Sequence, residues 1–191
     1  MFLDSITYKS KYDIILLTKR ESENMLFKET VISGISVKKA VAVDSDFHAR
    51  YSCIKKEYVY KIWNAPYMSP FWQGLALHYP KPIDENYLDA VCTDFIGTYD
   101  FSAFCGNPQF KKSTVRFVRS VKILKLGNEV RLIFTGNGFI HNQVRIMVGT
   151  LIEVGRGERA ADSIPALFGG KRSDAGFLAP AQGLCLMEVT Y

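Results

Sequence analysis

Arg145 is the residue whose setting most demands a chemical explanation. It is a lone cation among Ile140, Val144, Met147, Val148 and Leu151, which recur at three- and four-residue spacing. That spacing predicts a helix over residues 139–154 with an apolar stripe toward a core. His141, Asn142 and Gly149 fall on the edge that Arg145 occupies, by the i, i+3 and i, i+4 geometry of a helix. A guanidinium half-sunk in apolar surroundings needs an anion, because desolvating it unpaired costs several kcal/mol. A structural ion pair and a functional site both meet that need. A second set is Tyr58, Tyr60 and Trp63, interleaved with Lys55, Lys56 and Lys61. Aromatic faces with cations beside them hold unpaired nucleic-acid bases. The same residues on a strand also suit cross-strand packing with solvated lysines. Lys111, Lys112, Arg116 and Arg119 form a third set, able to track a phosphate backbone or simply to face solvent.

These residues need elements to carry them. Residues 1–33 stay unassigned as a segment, with a short apolar strand at 14–17 followed by a polar loop. From Ile35 onward Val37, Val41 and Val43 alternate as in a half-buried strand. Residues 51–64 make a second strand with Tyr58, Tyr60 and Ile62 on one face. Pro66, Pro70, Pro80 and Pro82 mark an irregular connection. Asp84 then caps a helix whose stripe is Leu88, Val91, Cys92 and Phe95, stopped by Gly97. An aromatic turn at 99–105 and a basic loop at 106–112 follow. Residues 114–126 and 129–135 form two strands joined at Gly127-Asn128, a hairpin signal. After the long helix come a short helix at 162–168 and a closing strand with Leu184, Leu186, Glu188 and Thr190 on one side. Adjacent hairpins with segregated helices predict an α+β fold, an antiparallel sheet with helices on one face.

Composition sets the outer bounds. The chain has 191 residues, 48% of them apolar and 13% aromatic, enough for one globular domain with a sizeable core. No run of eighteen apolar residues occurs, and the first residues lack the layout of a signal peptide, so the expectation is a cytoplasmic protein with no membrane contact. Cys53, Cys92, Cys105 and Cys185 are widely separated, which indicates neither a zinc site nor a disulfide framework; no metal is expected. The net charge of +5 favours a polyanionic partner or an anionic membrane, and an excess of this size is also ordinary.

Five stretches then fall in a recognisable order: Asp46-Phe-His-Ala-Arg50, Glu57-Tyr-Val-Tyr60, Asp100-Phe-Ser-Ala-Phe104, the run from Gly138 to Gly149, and Ala179-Pro-Ala-Gln-Gly-Leu184. Together they resemble the tRNA pseudouridine synthase A family. The resemblance implies the pseudouridine synthase fold, two related α+β halves around a shared cleft, with residues 34–191 as the second, C-terminal subdomain. It implies isomerisation of uridine to pseudouridine in the anticodon stem-loop of tRNA, with no cofactor and usually as a homodimer. Tyr58 matches the tyrosine that stacks on the flipped base and helps to remove its proton. Arg145 matches the arginine paired with the catalytic aspartate, and Leu184 the apolar residue lining the pocket. His48, Arg50, Lys111, Lys112, Arg116, Arg119, His141 and Asn142 are the expected substrate-binding residues.

The pattern departs from the family at the nucleophile, an aspartate in a Gly-Arg-Thr-Asp-Ala-Gly motif. Nothing like it precedes Asp46. Lys171-Arg-Ser-Asp-Ala-Gly176 copies part of the spelling, but its place before Ala179 argues against Asp174 as nucleophile, and no motif favours Asp44 or Asp46. A nucleophile must stand within about 3.5 Å of the reacting atom. The expectation is therefore an N-terminally incomplete synthase, inactive by itself. The alternative is an inert RNA-binding module holding RNA through Arg50 and the basic residues 111–119. A third, purely structural reading is a dimerisation surface built on the apolar stripes.

Overall fold

The computed structural model describes residues 14–18 and 39–191, with side chains from Val43 onward. A long hairpin organises its larger sheet. Strands β6 (Val115–Leu126) and β7 (Glu129–Gly136) pair antiparallel, closing at Leu126↔Glu129. Gly127 supplies the left-handed backbone, φ +62°, that a two-residue turn requires. The register shifts between Val118 and Ser120, leaving Arg119 as the extra residue of a bulge.

Strand β5 (Gly97–Asp100) pairs antiparallel with β6 on the outer side. On the inner side β3 (Lys55–Trp63) borders β7, and β8 (Leu184–Thr190) pairs with β3. The Ile54 N–H donates to the Thr190 carbonyl at 2.9 Å, while Gly183 abuts Tyr60 and Lys61, so β8 runs antiparallel to β3. Two residues, β4 (Leu77–His78), add a short parallel edge opposite Ile62 and Trp63. The remaining pair, β1 (Ile14–Thr18) and β2 (Lys39–Val43), is parallel. The apolar run at 14–17 is thus a strand. Ile35 and Val37, and the polar loop after Thr18, lie outside the described residues.

Two helices cover one face of the larger sheet. Helix α1 (Glu85–Cys92) is capped by Asp84, whose carboxylate accepts from the Tyr87 N–H. Helix α2 spans Gln143–Gly155, and nearly all of it is buried. Ile62, Val130 and Leu132 of the sheet meet Leu88 of α1 and Leu151 and Ile152 of α2 in one core. This is the expected α+β arrangement. The described residues divide into two compact units, one up to Lys56 together with Leu186–Tyr191, the other Glu57–Cys185.

Three expectations need correction. The long helix begins at Gln143, because Asn142 takes a left-handed conformation, φ 63°, that interrupts helical hydrogen bonding. Ile140, His141 and Asn142 therefore precede the cylinder instead of sharing its edge. Residues 162–168 are not an α-helix but two 3₁₀ turns, Ala161–Ser163 and Pro165–Leu167, since Pro165 removes an N–H that a continuous helix would use. The aromatic turn after Gly97 is in fact β5 followed by a 3₁₀ turn at Ser102–Phe104.

Candidate functional site

Arg145 occupies the first turn of α2, half-buried. Its Nε donates to the Ala179 carbonyl at 2.7 Å and its Nη1 to Asn142 Oδ1 at 3.2 Å. The Ala179 N–H returns a backbone bond to the Arg145 carbonyl at 3.3 Å. Both side-chain acceptors are neutral. Among the described residues no carboxylate lies within 4.0 Å of the guanidinium. The cation is thus oriented without being neutralised, which leaves donor capacity for an incoming anion.

The turn before α2 explains that orientation. The Ile140 N–H donates to Gln143 Oε1 at 2.9 Å, and the Gln143 N–H to the Ile140 carbonyl at 3.1 Å. Gln143 is buried; its Oε1 serves this turn while its Nε2 donates to Met147 Sδ at 3.9 Å, and the doubly held amide fixes where Asn142 stands. The Gly106 N–H donates to the His141 carbonyl at 2.9 Å, and a Cβ on Gly106 would lie 2.6 Å from Asn142 Nδ2. The basic loop at 106–112 is therefore tied by its first residue to His141 and packed against Asn142, the residue that steadies Arg145. Lys111 and Lys112 project exposed from that loop, and His141 is exposed beside it.

Tyr58 is half-buried on β3, its ring edge-on to Phe139 with centroids 5.4 Å apart. Two residues along the same face, Tyr60 is fully buried and donates its hydroxyl to the Pro180 carbonyl at 2.8 Å. Burial pushes the Tyr60 phenol far above its ordinary range, and the nearby Arg145 charge opposes that shift only in part. Tyr60 and Arg145 thus hold neighbouring carbonyls of the segment that leads through the 3₁₀ turn Ala181–Gly183 into Leu184. Leu184 packs half-buried against the core. Tyr60, Gln143, Gly106 and Gly183 were not among the expected site residues. Sequence placed Tyr60 in the aromatic set with Tyr58 and Trp63 and in the Glu57-Tyr-Val-Tyr60 stretch, but nothing there pointed to a hydroxyl bonded to Pro180.

The remaining candidates fall elsewhere. Arg116 is half-buried, its Nη1 bonded to the Ser113 and Val115 carbonyls at 2.8 and 2.6 Å, and Arg119 is exposed on the bulge. His48 and Arg50 belong to the other compact unit. There the Arg50 N–H donates to His48 Nδ1 at 3.1 Å, and the Arg50 guanidinium lies over the Tyr51 ring. Asp174 accepts from the Lys171 N–H at 2.9 Å and from Ser173 Oγ at 3.0 Å. Those bonds, with the Lys171 and Arg159 charges, hold its exposed carboxyl below the usual range. Among the described residues no three His, Cys, Asp or Glu side chains stand together to hold a metal ion, and no helix is long and apolar enough to cross a membrane.

Residues 91–191 match a family model described as tRNA pseudouridine synthase. Curated relatives named tRNA pseudouridine synthase A are also similar. That of Staphylococcus aureus strain bovine RF122 / ET3-1 is 40% identical over 161 residues, 84% of this chain and 60% of the relative. That of strain MRSA252 is 39% identical over 161 residues, 84% of this chain and 61% of the relative. The chain spans about 60% of the length of the curated relatives it matches.

Proposed function

This chain belongs to the tRNA pseudouridine synthase family, and from that premise we propose that it supplies the base-holding and cation-bearing part of a uridine isomerase site. The reaction breaks the bond from the ribose to N1 of uracil, turns the base, joins C5 to the ribose and removes the C5 proton. Tyr58 stacks on the flipped uracil and assists that proton removal, restoring part of the few kcal/mol lost when a base leaves its stack. Leu184 gives the pocket an apolar wall. Arg145 orients and stabilises the nucleophilic carboxylate, which comes from outside the described residues. Lys111, Lys112, Arg116 and Arg119 contact phosphates, His141 and Asn142 bind substrate beside Arg145, and His48 and Arg50, in the other compact unit, make a separate RNA contact. The substrate is tRNA at its anticodon stem-loop, and the enzyme works in the cytoplasm as a homodimer.

The observation that carries this reading is the Arg145 guanidinium, fixed by neutral acceptors with no described carboxylate at ion-pair distance. The same observation favours a second reading, an RNA-binding module without chemistry. Pseudouridine formation in an unmodified tRNA transcript separates them. The enzyme reading expects the 191-residue chain to bind the transcript and to yield pseudouridine once a relative's Gly-Arg-Thr-Asp-Ala-Gly half is supplied. Arg145→Leu then abolishes product while the circular-dichroism spectrum stays native. Binding that never converts to product upholds the second reading, and loss of folding in Arg145→Leu returns the residue to a structural role.

A further inference from the structure

Two donors hold two consecutive carbonyls at the entrance to β8. The Tyr60 hydroxyl takes Pro180 at 2.8 Å, and Arg145 Nε takes Ala179 at 2.7 Å. Tyr60 has no exposed surface, so its hydroxyl cannot exchange this partner for bulk water. Pro180 has no N–H, and its carbonyl is therefore the one backbone polar group by which it can be anchored. Gly183 makes room for the ring: a Cβ there would stand 2.7 Å from Tyr60 Cζ and 2.8 Å from the Lys61 carbonyl oxygen. Ring, turn and guanidinium form one closed set of contacts.

We propose that Tyr60 is a positioning residue, whose hydroxyl fixes Pro180 so that the Ala179 carbonyl meets Arg145 Nε and β8 begins with Leu184 in place. The effect on catalysis rests on the reading of Arg145 and Leu184 as site residues; the clamp itself rests on the contacts alone. A phenol keeps its proton at neutral pH, and burial raises the Tyr60 ionisation further, so the hydroxyl stays a donor into the alkaline range. Tyr58 and Tyr60, alternate residues of β3, then divide the work: one faces the base and the other sets the cation.

The test follows the Arg145 Hε proton by NMR in the 191-residue chain labelled with ¹⁵N-arginine, its signal assigned by loss in Arg145→Lys. Tyr60→Phe keeps the ring and removes only the hydroxyl. Solvent exchange of the Arg145 Hε is expected to speed up about tenfold, the scale of one hydrogen bond, while the backbone amides of residues 146–152 keep their exchange rates. Gly183→Ala, which pushes the ring from the other side, is expected to produce the same selective change. An unchanged Hε rate in Tyr60→Phe overturns the proposal, as does a rise that only tracks the α2 amides in both variants. Neither readout requires turnover, so a chain inert toward tRNA still decides the matter.

Discussion

At the scale of single residues, the neutral contacts of Arg145 and the buried hydroxyl of Tyr60 put directional bonds where charge neutralisation would otherwise be expected. Another buried group offers a check on native packing that owes nothing to the site. Cys92 is fully buried in α1, and burial, aided by the Asp89 charge, pushes its thiol up to about 12. In the unfolded chain that thiol ionises near its ordinary value of about 8.5. The folded pKa is the higher one, so its contribution is fully present below about pH 8.5 and is lost as pH rises toward 12. Denaturant titrations between pH 7 and 10 should show stability falling by up to about 1.4 kcal/mol per pH unit from this one group. Cys92→Ala should flatten that fall; an equal slope in the variant would mean the thiol is hydrated in the native state.

At the scale of elements, α2 reaches its site only because two glycines let chain segments touch. A Cβ on Gly149 would collide with the Phe177 carbonyl oxygen, and one on Gly176 would lie 2.5 Å from the Thr150 nitrogen. Glycine inside a helix costs about 1 kcal/mol relative to alanine, so propensity alone predicts that Gly149→Ala stabilises. Overpacking against rigid backbone costs about 1–3 kcal/mol or more, and the contact is with a main-chain oxygen that cannot rotate away. Contact should therefore win: the midpoint of urea unfolding drops in Gly149→Ala, and a rise would show that residues 176–177 yield freely. The same contrast explains what could be read from sequence. The β6–β7 hairpin was legible because its turn glycine and alternating strands are local signals, as was the Asp84 cap. The true start of α2 was not, because a left-handed Asn142 held by a buried Gln143 amide is a tertiary arrangement spelled by ordinary helix-compatible residues. Tyr60 read as a stacking or packing aromatic, not a clamp, for the same reason: its Pro180 partner lies 120 residues away.

At the scale of the whole molecule, the excess of five positive charges is modest, and what matters is whether the exposed cations act together. Lys111 and Lys112 extend from a loop anchored at Gly106 to the turn before α2, and Arg119 stands on the β6 bulge, which pushes an extra residue out of the ladder. Arg116 is braced by the carbonyls of Ser113, just before its strand, and Val115, which restricts the guanidinium before any ligand arrives and lowers the entropy lost on binding. If these four residues neutralise four phosphates, counterion release sets a slope near −3.6 in log K against log salt, at about −0.9 per contact for duplex RNA treated as B-DNA. Raising salt from about 50 to 200 mM should then weaken binding of an unmodified tRNA transcript by about two powers of ten. Replacing Lys111 and Lys112 by alanine should cut that slope by roughly half. A slope that keeps its full value in the double variant would move the phosphate path off this loop, and with it the reason for a basic segment moored to the turn that steadies Arg145.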